Sequence, residues 1–125
     1  MNLEQQVCSL ELAKKLKVLG VRQESAFYWW DPSFGNDRWK ILFNEHSMEL
    51  DSERISAFTV AELGEMLPIG YCTVPLHEER RGRTWIPEFA EDGKIKLLQN
   101  FGSDTEADAR AKILIYLIEQ GVVKP

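Results

Sequence analysis

Two cysteines and two histidines are the residues of this sequence whose types could bind a transition metal: Cys8, His46, Cys72 and His77. Structural zinc sites usually draw their ligands from pairs only a few residues apart, because such a pair reaches one ion from a single turn. Here each residue stands alone, and Arg81 occupies the place where a helical metalloprotease motif beginning at His77 would have its second histidine. The pattern therefore predicts no metal site.

Nucleophilic or acid–base catalysis would need a serine, cysteine or carboxylate in a recognisable setting. Ser9, Ser25 and Cys72 have no nucleophile-elbow motif around them, and Glu78 and Glu79 adjoin arginines with which they could simply pair in solvent. A glycine-rich phosphate loop is also missing from the sequence. We predict no catalytic residues and no cofactor, while a single sequence leaves an enzymatic activity open.

Aromatic and basic side chains form the more suggestive pattern. Tryptophans flank one turn in "FYWWDPSFGNDRW", and a fourth tryptophan follows three arginines in "RRGRTW". Such side chains can stack on bases, sugars or a partner side chain, but in strands they more often fill the core. The candidate interaction patch contains six residues: Tyr28, Trp30, Arg80, Arg81, Arg83 and Trp85.

The alternation of side chains along a strand decides which aromatic residues face the core. In "FYWW", neighbouring residues point to opposite faces, so Trp29 and Trp30 cannot enter the same core layer. Phe27 and Trp29 are the more apolar pair and are predicted to face inward. Tyr28 carries a hydroxyl that favours a wet edge, and it is predicted to lie beside Trp30 on the other face.

Charge and composition narrow the class of protein. The 125 residues suit one globular domain spanning 1–125, with 44% hydrophobic and 28% charged residues. The net charge of −5 is spread along the chain, and the one arginine cluster follows two glutamates, which argues against duplex-DNA binding. A dense acidic run typical of a DNA mimic is also missing.

Hydropathy predicts the location of the protein. The longest apolar run, "ILIYLI" at 113–118, is far shorter than the roughly 20 residues that a membrane span needs, so no membrane association is expected. The first residues lack a basic leader followed by an apolar block, which predicts a cytoplasmic protein without a signal peptide. Cys8 and Cys72 are then expected to be reduced thiols.

Periodicity and capping signals predict three helices, at 9–19, 60–67 and 104–120. Ser9, Thr59 and Ser103 are the expected N-caps, and the last two begin capping boxes with Glu62 and Glu106. The capping boxes are interpreted as structural devices and not as binding motifs. The expected core residues are Leu16, Trp39, Leu63, Leu114 and Ile118.

The remaining segments predict strands. A hairpin is expected over 26–44, and further strand pieces in "GYCTVPLHEE" and "TWIPEF", where Pro75 and Pro87 indicate edge positions or bulges. Asp92-Gly93 is the strongest turn signal, with a strand after it, and 46–54 is predicted to be a loop or short edge element. The prediction is an α+β domain in which an antiparallel or mixed sheet of about four to five strands packs with three helices, or is sandwiched between them.

Three segments in order, "CSLELAKKLKVLGVRQESAFYWW", "AFTVAELGEMLP" and "EADARAKILIYLIEQG", resemble short proteins encoded in bacterial prophages, which have no assigned function. The resemblance covers most of the chain outside roughly 44–55 and 72–100. It implies a mobile-element accessory protein of α+β architecture, and it brings no catalytic residues to this chain.

Two functions are compatible with these observations. The first is a small interaction module that binds a protein partner, or a second copy of itself, through an apolar and aromatic patch. The second is a protein that binds single-stranded nucleic acid or a nucleotide through its tryptophans and the cluster of Arg80, Arg81 and Arg83. The partner, the oligomeric state and the exposure of each tryptophan are left undecided by the sequence.

Overall fold

The computed structural model describes residues 2–31, 38–43, 54–78 and 82–125. The helices are α1 (Leu3–Gln6), α2 (Leu10–Val18), α3 (Val60–Met66) and α4 (Glu106–Glu119). The strands are β1 (Phe27–Trp30), β2 (Lys40–Phe43), β3 (Ile55–Ser56), β4 (Tyr71–Glu78), β5 (Gly82–Glu91) and β6 (Lys94–Leu97). The fold is α+β, as predicted, and its three longer helices lie where the periodicity placed them.

The described strands form two antiparallel sheets, where the sequence predicted one. The first sheet has the order β2-β1-β3, and its β1–β2 pair confirms the expected hairpin, with Phe27 opposite Phe43 and Trp30 opposite Lys40. The second sheet has the order β4-β5-β6. The described residues form six strands, against the four to five predicted. The additional strand is β3, which is only two residues long and follows a segment that was expected to be irregular. Residues 46–53 of that segment lie outside the described residues.

The second sheet is built from two consecutive hairpins. β4 and β5 pair from Tyr71 opposite Phe89 to Glu78 opposite Gly82, without the interruptions expected at the prolines. β5 then turns into β6 through Asp92-Gly93, both of which have positive φ (51° and 75°) as a two-residue hairpin turn requires. The turn predicted from these two residues is confirmed.

The two prolines occupy different positions in the second sheet. Pro75 lies in the edge strand β4, as predicted, whereas Pro87 lies in the central strand β5 opposite Thr73. The carbonyl of Pro87 accepts from the N–H of Leu98 at 2.8 Å, on the side away from β4. Because the N–H and carbonyl of one strand residue point to the same side, the missing N–H of Pro87 removes no bond to β4.

The core is organised around α4, which contacts α2, α3 and both β4 and β5. Leu16, Leu63 and Leu114 are fully buried, which confirms them as core residues, while Trp39 and Ile118 are partly buried against the same cluster. Three alanines of α4 are buried without any exposed area: Ala107, Ala109 and Ala111. These small side chains let neighbouring elements approach the helix closely.

The helix caps agree only partly with the prediction. Thr59 and Glu62 form the expected capping box, with Glu62 N donating to Thr59 Oγ1 at 3.2 Å and Thr59 N to Glu62 Oε1 at 2.8 Å. Ser103 does not cap α4, because its main chain exchanges two hydrogen bonds with Trp85 of β5. Thr105 is the N-cap instead and accepts from Asp108 N at 3.2 Å.

The beginning of the chain also differs from the prediction. Ser9 occupies the N-cap position of α2 without a side-chain cap, and its N–H donates to Asp108 Oδ1 of α4 at 2.7 Å. The unpredicted α1 is a single turn held by a capping box between Asn2 and Gln5. In the part of the chain that the structure describes, no helix combines the length and apolar character needed to cross a bilayer.

Candidate functional site

The aromatic residues of β1 are placed differently from the predicted patch. Trp29 packs against the core and its Nε1 donates to the carbonyl of Cys8 at 3.0 Å, as its inward assignment predicted. Tyr28, however, is only 3% exposed, so its assignment to a wet edge is wrong. Its hydroxyl donates to the carbonyl of Gln23 at 3.1 Å, and Arg54 lies 4.4 Å from the ring centre, so the hydroxyl is satisfied inside the fold.

The other members of the predicted patch are distributed over both sheets. Trp30 is half-buried in β1 of the first sheet, whereas Trp85 is half-buried in β5 of the second, opposite Pro75. Arg80 and Arg81 lie outside the described residues, and Arg83 pairs through β5 with His77. The predicted patch is therefore divided between the two sheets, with Tyr28 and Trp30 on β1 and Arg83 and Trp85 on β5.

A different exposed surface lies at the β6 end of the second sheet. We call it the outer face, and it consists of Cys72, Glu88, Ala90, Ile95 and Leu97, which follow one another across β4, β5 and β6. Ile95 is 66% exposed and Leu97 42%, and Cys72 and Ala90 are also exposed. Farther along the sheet the same side is covered, since Ile86 is buried near Gly102.

The opposite side of this sheet is fastened to α4 by a polar network. The hydroxyl of Thr73, in β4, bonds to Glu106 Oε2 and accepts from Arg110 Nε at 2.9 Å. Arg110 Nη2 also pairs with Glu106 at 3.3 Å, and Arg110 Nη1 donates to the carbonyl of Val60 in α3 at 2.9 Å. Near Thr73 this side is thus occupied by the protein's own helices, whereas Lys94 and Lys96 at its β6 end are exposed. The exposed apolar residues of β6 lie on the outer face.

β6 presents open main-chain groups along its outer edge. Ala90 donates its N–H to Gly70, on the β4 side of β5, and Leu98 donates to Pro87. These two bonds show that Ala90–Ile95 and Glu88–Leu97 are the pairs that do not exchange main-chain hydrogen bonds. The N–H and carbonyl groups of Ile95 and Leu97 therefore point away from β5, where the described part of the chain has no further strand.

The thiols of the chain are held in their protonated form. Cys72 Sγ donates to Glu88 Oε1 at 2.9 Å, and partial burial of the sulfur together with the Glu88 hydrogen bond and charge raises the pKa of Cys72 to about 11. Burial raises the pKa of Cys8 to about 12. Because the thiolate is the reactive form of cysteine, neither environment activates a nucleophile at neutral pH.

The residues considered for metal binding are dispersed. Cys8 is buried and its N–H donates to the carbonyl of Phe58, Cys72 and His77 are exposed on β4, and His46 lies outside the described residues. Among the residues that the structure describes, no group of three or more histidines, cysteines and carboxylates is close enough together to hold an ion.

A cavity of about 330 Å³ lies between α3, α4 and residues 123–125, with Phe58 and Leu114 among its lining residues. Glu62 also lines it, but its carboxylate already accepts from Ser25 Oγ at 2.7 Å and Ala26 N at 3.0 Å, besides closing the α3 cap. These hydrogen bonds hold α3 against the residues that precede β1, and they occupy both oxygens of the Glu62 carboxylate. The other charged residues of the cavity lining are Arg22, Glu24, Glu65 and Lys124, of which Arg22 and Glu24 bond to each other at 2.9 Å.

Comparison of the chain with protein-family models, curated proteins and solved structures finds no match.

The sequence contained one signal for the surface that the structure exposes. "KIKL" alternates charged and apolar residues directly after a hairpin turn, a pattern typical of a strand with one covered face. The strand was predicted, but all four of its side chains are exposed. Alternation alone does not show whether the apolar side of a strand is covered, and so the outer face was missed.

Proposed function

We propose that this chain is a small protein-binding module, an accessory protein of the kind that the resemblance to prophage proteins implies, and that it binds its partner through the outer face and β6. The observation that carries the proposal is the exposure of Ile95 and Leu97, side by side on an edge strand whose four residues are all exposed. A partner that covers them would remove apolar area from water, which favours association.

The position of these two residues distinguishes them from isolated apolar residues elsewhere on the surface. Val18 and Val122 are 86% and 62% exposed, but they stand alone on α2 and after α4. Single exposed apolar residues are common and need no partner. Ile95 and Leu97 are instead contiguous with Ala90 and with open main-chain groups, so one partner segment can contact all of them.

The test compares what the immobilised protein captures from a bacterial lysate, quantified by mass spectrometry. The double variant Ile95→Ser/Leu97→Ser removes the exposed apolar side chains, and Val18→Ser/Val122→Ser is a control that removes two more strongly exposed ones elsewhere. We expect a set of proteins that the wild type and the control retain and the Ile95/Leu97 variant loses. Equal capture by the Ile95/Leu97 variant would overturn the proposal.

Trp30→Ala provides a second comparison, because Trp30 belongs to the interaction patch that the sequence predicted. If the outer face is the binding surface, the Trp30→Ala variant should capture the same proteins as the wild type, even if the substitution lowers the stability measured by urea unfolding. Loss of capture with unchanged stability would instead place the binding surface on the first sheet.

The alternative function is binding of single-stranded nucleic acid or a nucleotide through Trp30, Trp85 and the arginine cluster. Mobility of labelled single-stranded oligonucleotides at low and high salt tests it directly, because phosphate contacts weaken as salt rises. A salt-sensitive shift that disappears in Trp85→Ala would favour this alternative over the protein-binding module.

A further inference from the structure

We infer, resting on the proposed function, that the partner contributes an extended segment of alternating acidic and apolar residues, which pairs with β6 as a fourth strand of the second sheet. Three properties of β6 support this pairing: its open main-chain edge, its apolar outer side and its two lysines.

The main chain of β6 offers a complete set of hydrogen-bonding groups for such a segment. Ile95 and Leu97 direct both N–H and carbonyl groups outward, two residues apart, which matches the spacing of hydrogen-bonded pairs in a sheet. The N–H and carbonyl groups of Lys94 and Lys96 point the other way, toward Glu91 and Phe89 of β5. An added strand can therefore form up to four hydrogen bonds without breaking any existing one.

The side chains of β6 then specify what the segment carries. On the outer face, Ile95 and Leu97 would lie beside alternate residues of the added strand, which are favourable there only if they are apolar. On the other side, Lys94 has Glu91 as its cross-strand neighbour, but Lys96 lies opposite Phe89. Neither lysine makes an ion pair within the described residues, so the intervening positions of the segment favour carboxylates.

The same lysines disfavour a second copy of this chain as the source of the added strand. If two β6 strands paired antiparallel, directly opposite residues would lie on the same side of the joined sheet, and lysine would face lysine in every register that places Ile95 and Leu97 together. Like charges placed directly opposite destabilise a strand pair. The charge of β6 thus selects a partner of opposite charge.

The first experiment uses synthetic peptides of about eight residues, an ordinary strand length. One peptide alternates glutamate and valine, one alternates lysine and valine, and a third carries N-methyl groups on the main chain of the glutamate–valine sequence. Binding to the full chain is measured by titration, and hydrogen exchange of the Ile95 and Leu97 amides by NMR. We expect only the first peptide to bind, with slowed exchange at both amides and weaker binding at high salt.

Two substitutions at one position separate the main chain from the side chain. Ile95→Pro removes the outward N–H, which makes no bond to β5, and prolines are tolerated at such edge positions. Ile95→Ala keeps the N–H and removes most of the side chain. We expect Ile95→Pro to weaken peptide binding about tenfold more than Ile95→Ala, as the loss of a hydrogen bond with a partner left unpaired predicts.

Charge reversal tests the selection of acidic residues. Lys94→Glu/Lys96→Glu should lose the glutamate–valine peptide and gain the lysine–valine peptide, whereas Lys14→Glu/Lys40→Glu, an equal change of charge elsewhere, should leave both results unchanged. Equal binding of both peptides by the wild type would overturn the acidic character of the segment.

Strand addition at β6 and the protein-binding function can fail independently in these experiments. If capture from lysate depends on Ile95 and Leu97 but bound partner leaves their amide exchange unchanged, strand addition is wrong and the protein-binding function stands. Slowed exchange that accompanies self-association, measured by sedimentation, would overturn the acidic partner in favour of a second copy.

Discussion

Gly64 of α3 lies directly against the guanidinium of Arg110 of α4, so closely that a Cβ at position 64 would clash with Nη1. The same Nη1 donates to the carbonyl of Val60 one turn earlier in α3. The absence of a side chain at Gly64 therefore creates the space through which Arg110 reaches α3 while also bonding Thr73 of β4. One glycine thus permits the contact that joins two helices and the second sheet.

Gly64→Ala should destabilise the protein, even though alanine is the better helix former by about 1 kcal/mol. Relief of the clash must displace Arg110 or shift the helices, and overpacking of this kind typically costs about 1–3 kcal/mol. Urea unfolding of four proteins, the wild type, Gly64→Ala, Arg110→Ala and the double variant, measures the coupling. In the Arg110→Ala background, Gly64→Ala should become neutral or stabilising. A destabilisation of the same size in both backgrounds would show that Arg110 is not the cause.

The caps give a prediction that separates the observed cap of α4 from the one that the sequence suggested. Thr105→Ala and Thr59→Ala should each lower the free energy of unfolding by roughly 0.5–2 kcal/mol through a lost cap. Ser103→Ala serves as the control and should cost less, since Ser103 bonds Trp85 through its main chain. Thermal unfolding of the three variants checks this order. A larger loss in Ser103→Ala than in Thr105→Ala would contradict the observed cap.

The packing of α4 predicts a large effect of one core truncation. Leu114 is 1% exposed within the main hydrophobic cluster, so Leu114→Ala should lower the free energy of unfolding by about 2–5 kcal/mol. Tyr116→Ala, on the exposed side of the same helix, is the matched control and should cost less, although its ring contacts Phe101. An unfolding midpoint that Leu114→Ala leaves unchanged would mean that α4 is not docked as described.

The hydrogen bond between Cys72 and Glu88 predicts how the exposed thiol reacts with iodoacetamide. At pH 8 the thiol with a pKa of about 11 should react far more slowly than a free cysteine, because only the thiolate is alkylated. Glu88 favours the protonated thiol, so Glu88→Gln should lower the pKa and move the rate–pH profile to lower pH. Cys8 should react only after unfolding in urea. A profile that Glu88→Gln leaves in place would show that Glu88 does not control this thiol.

Local sequence signals predicted the local parts of this fold. The Thr59–Glu62 capping box and the Asp92-Gly93 turn were predicted because all their partners lie within a few residues. The division of the strands into two sheets was not, because it depends on pairings between distant segments, such as Tyr28 with Ser56. The cap of α4 was misplaced for the same reason, since Trp85 takes up the main chain of Ser103 from another strand.

The candidate site was less predictable than the fold. Tyr28 and Leu97 show why, since each has the side-chain type expected in the other's environment. A main-chain carbonyl satisfies the Tyr28 hydroxyl inside the protein, which allows the residue to be buried, whereas no described element covers Leu97. Whether a strand face is covered depends on the placement of other layers, and a single sequence does not specify that placement.

The place of α4 in the chain has a consequence for synthesis on the ribosome. The helix that packs against α2, α3 and the second sheet is made after all of these elements. Until Leu117 has emerged from the exit tunnel, the apolar sides of the earlier elements lack the surface that buries them. Those apolar sides therefore stay exposed on the nascent chain until α4 docks, and transiently exposed apolar surface of this kind makes a folding chain prone to aggregation.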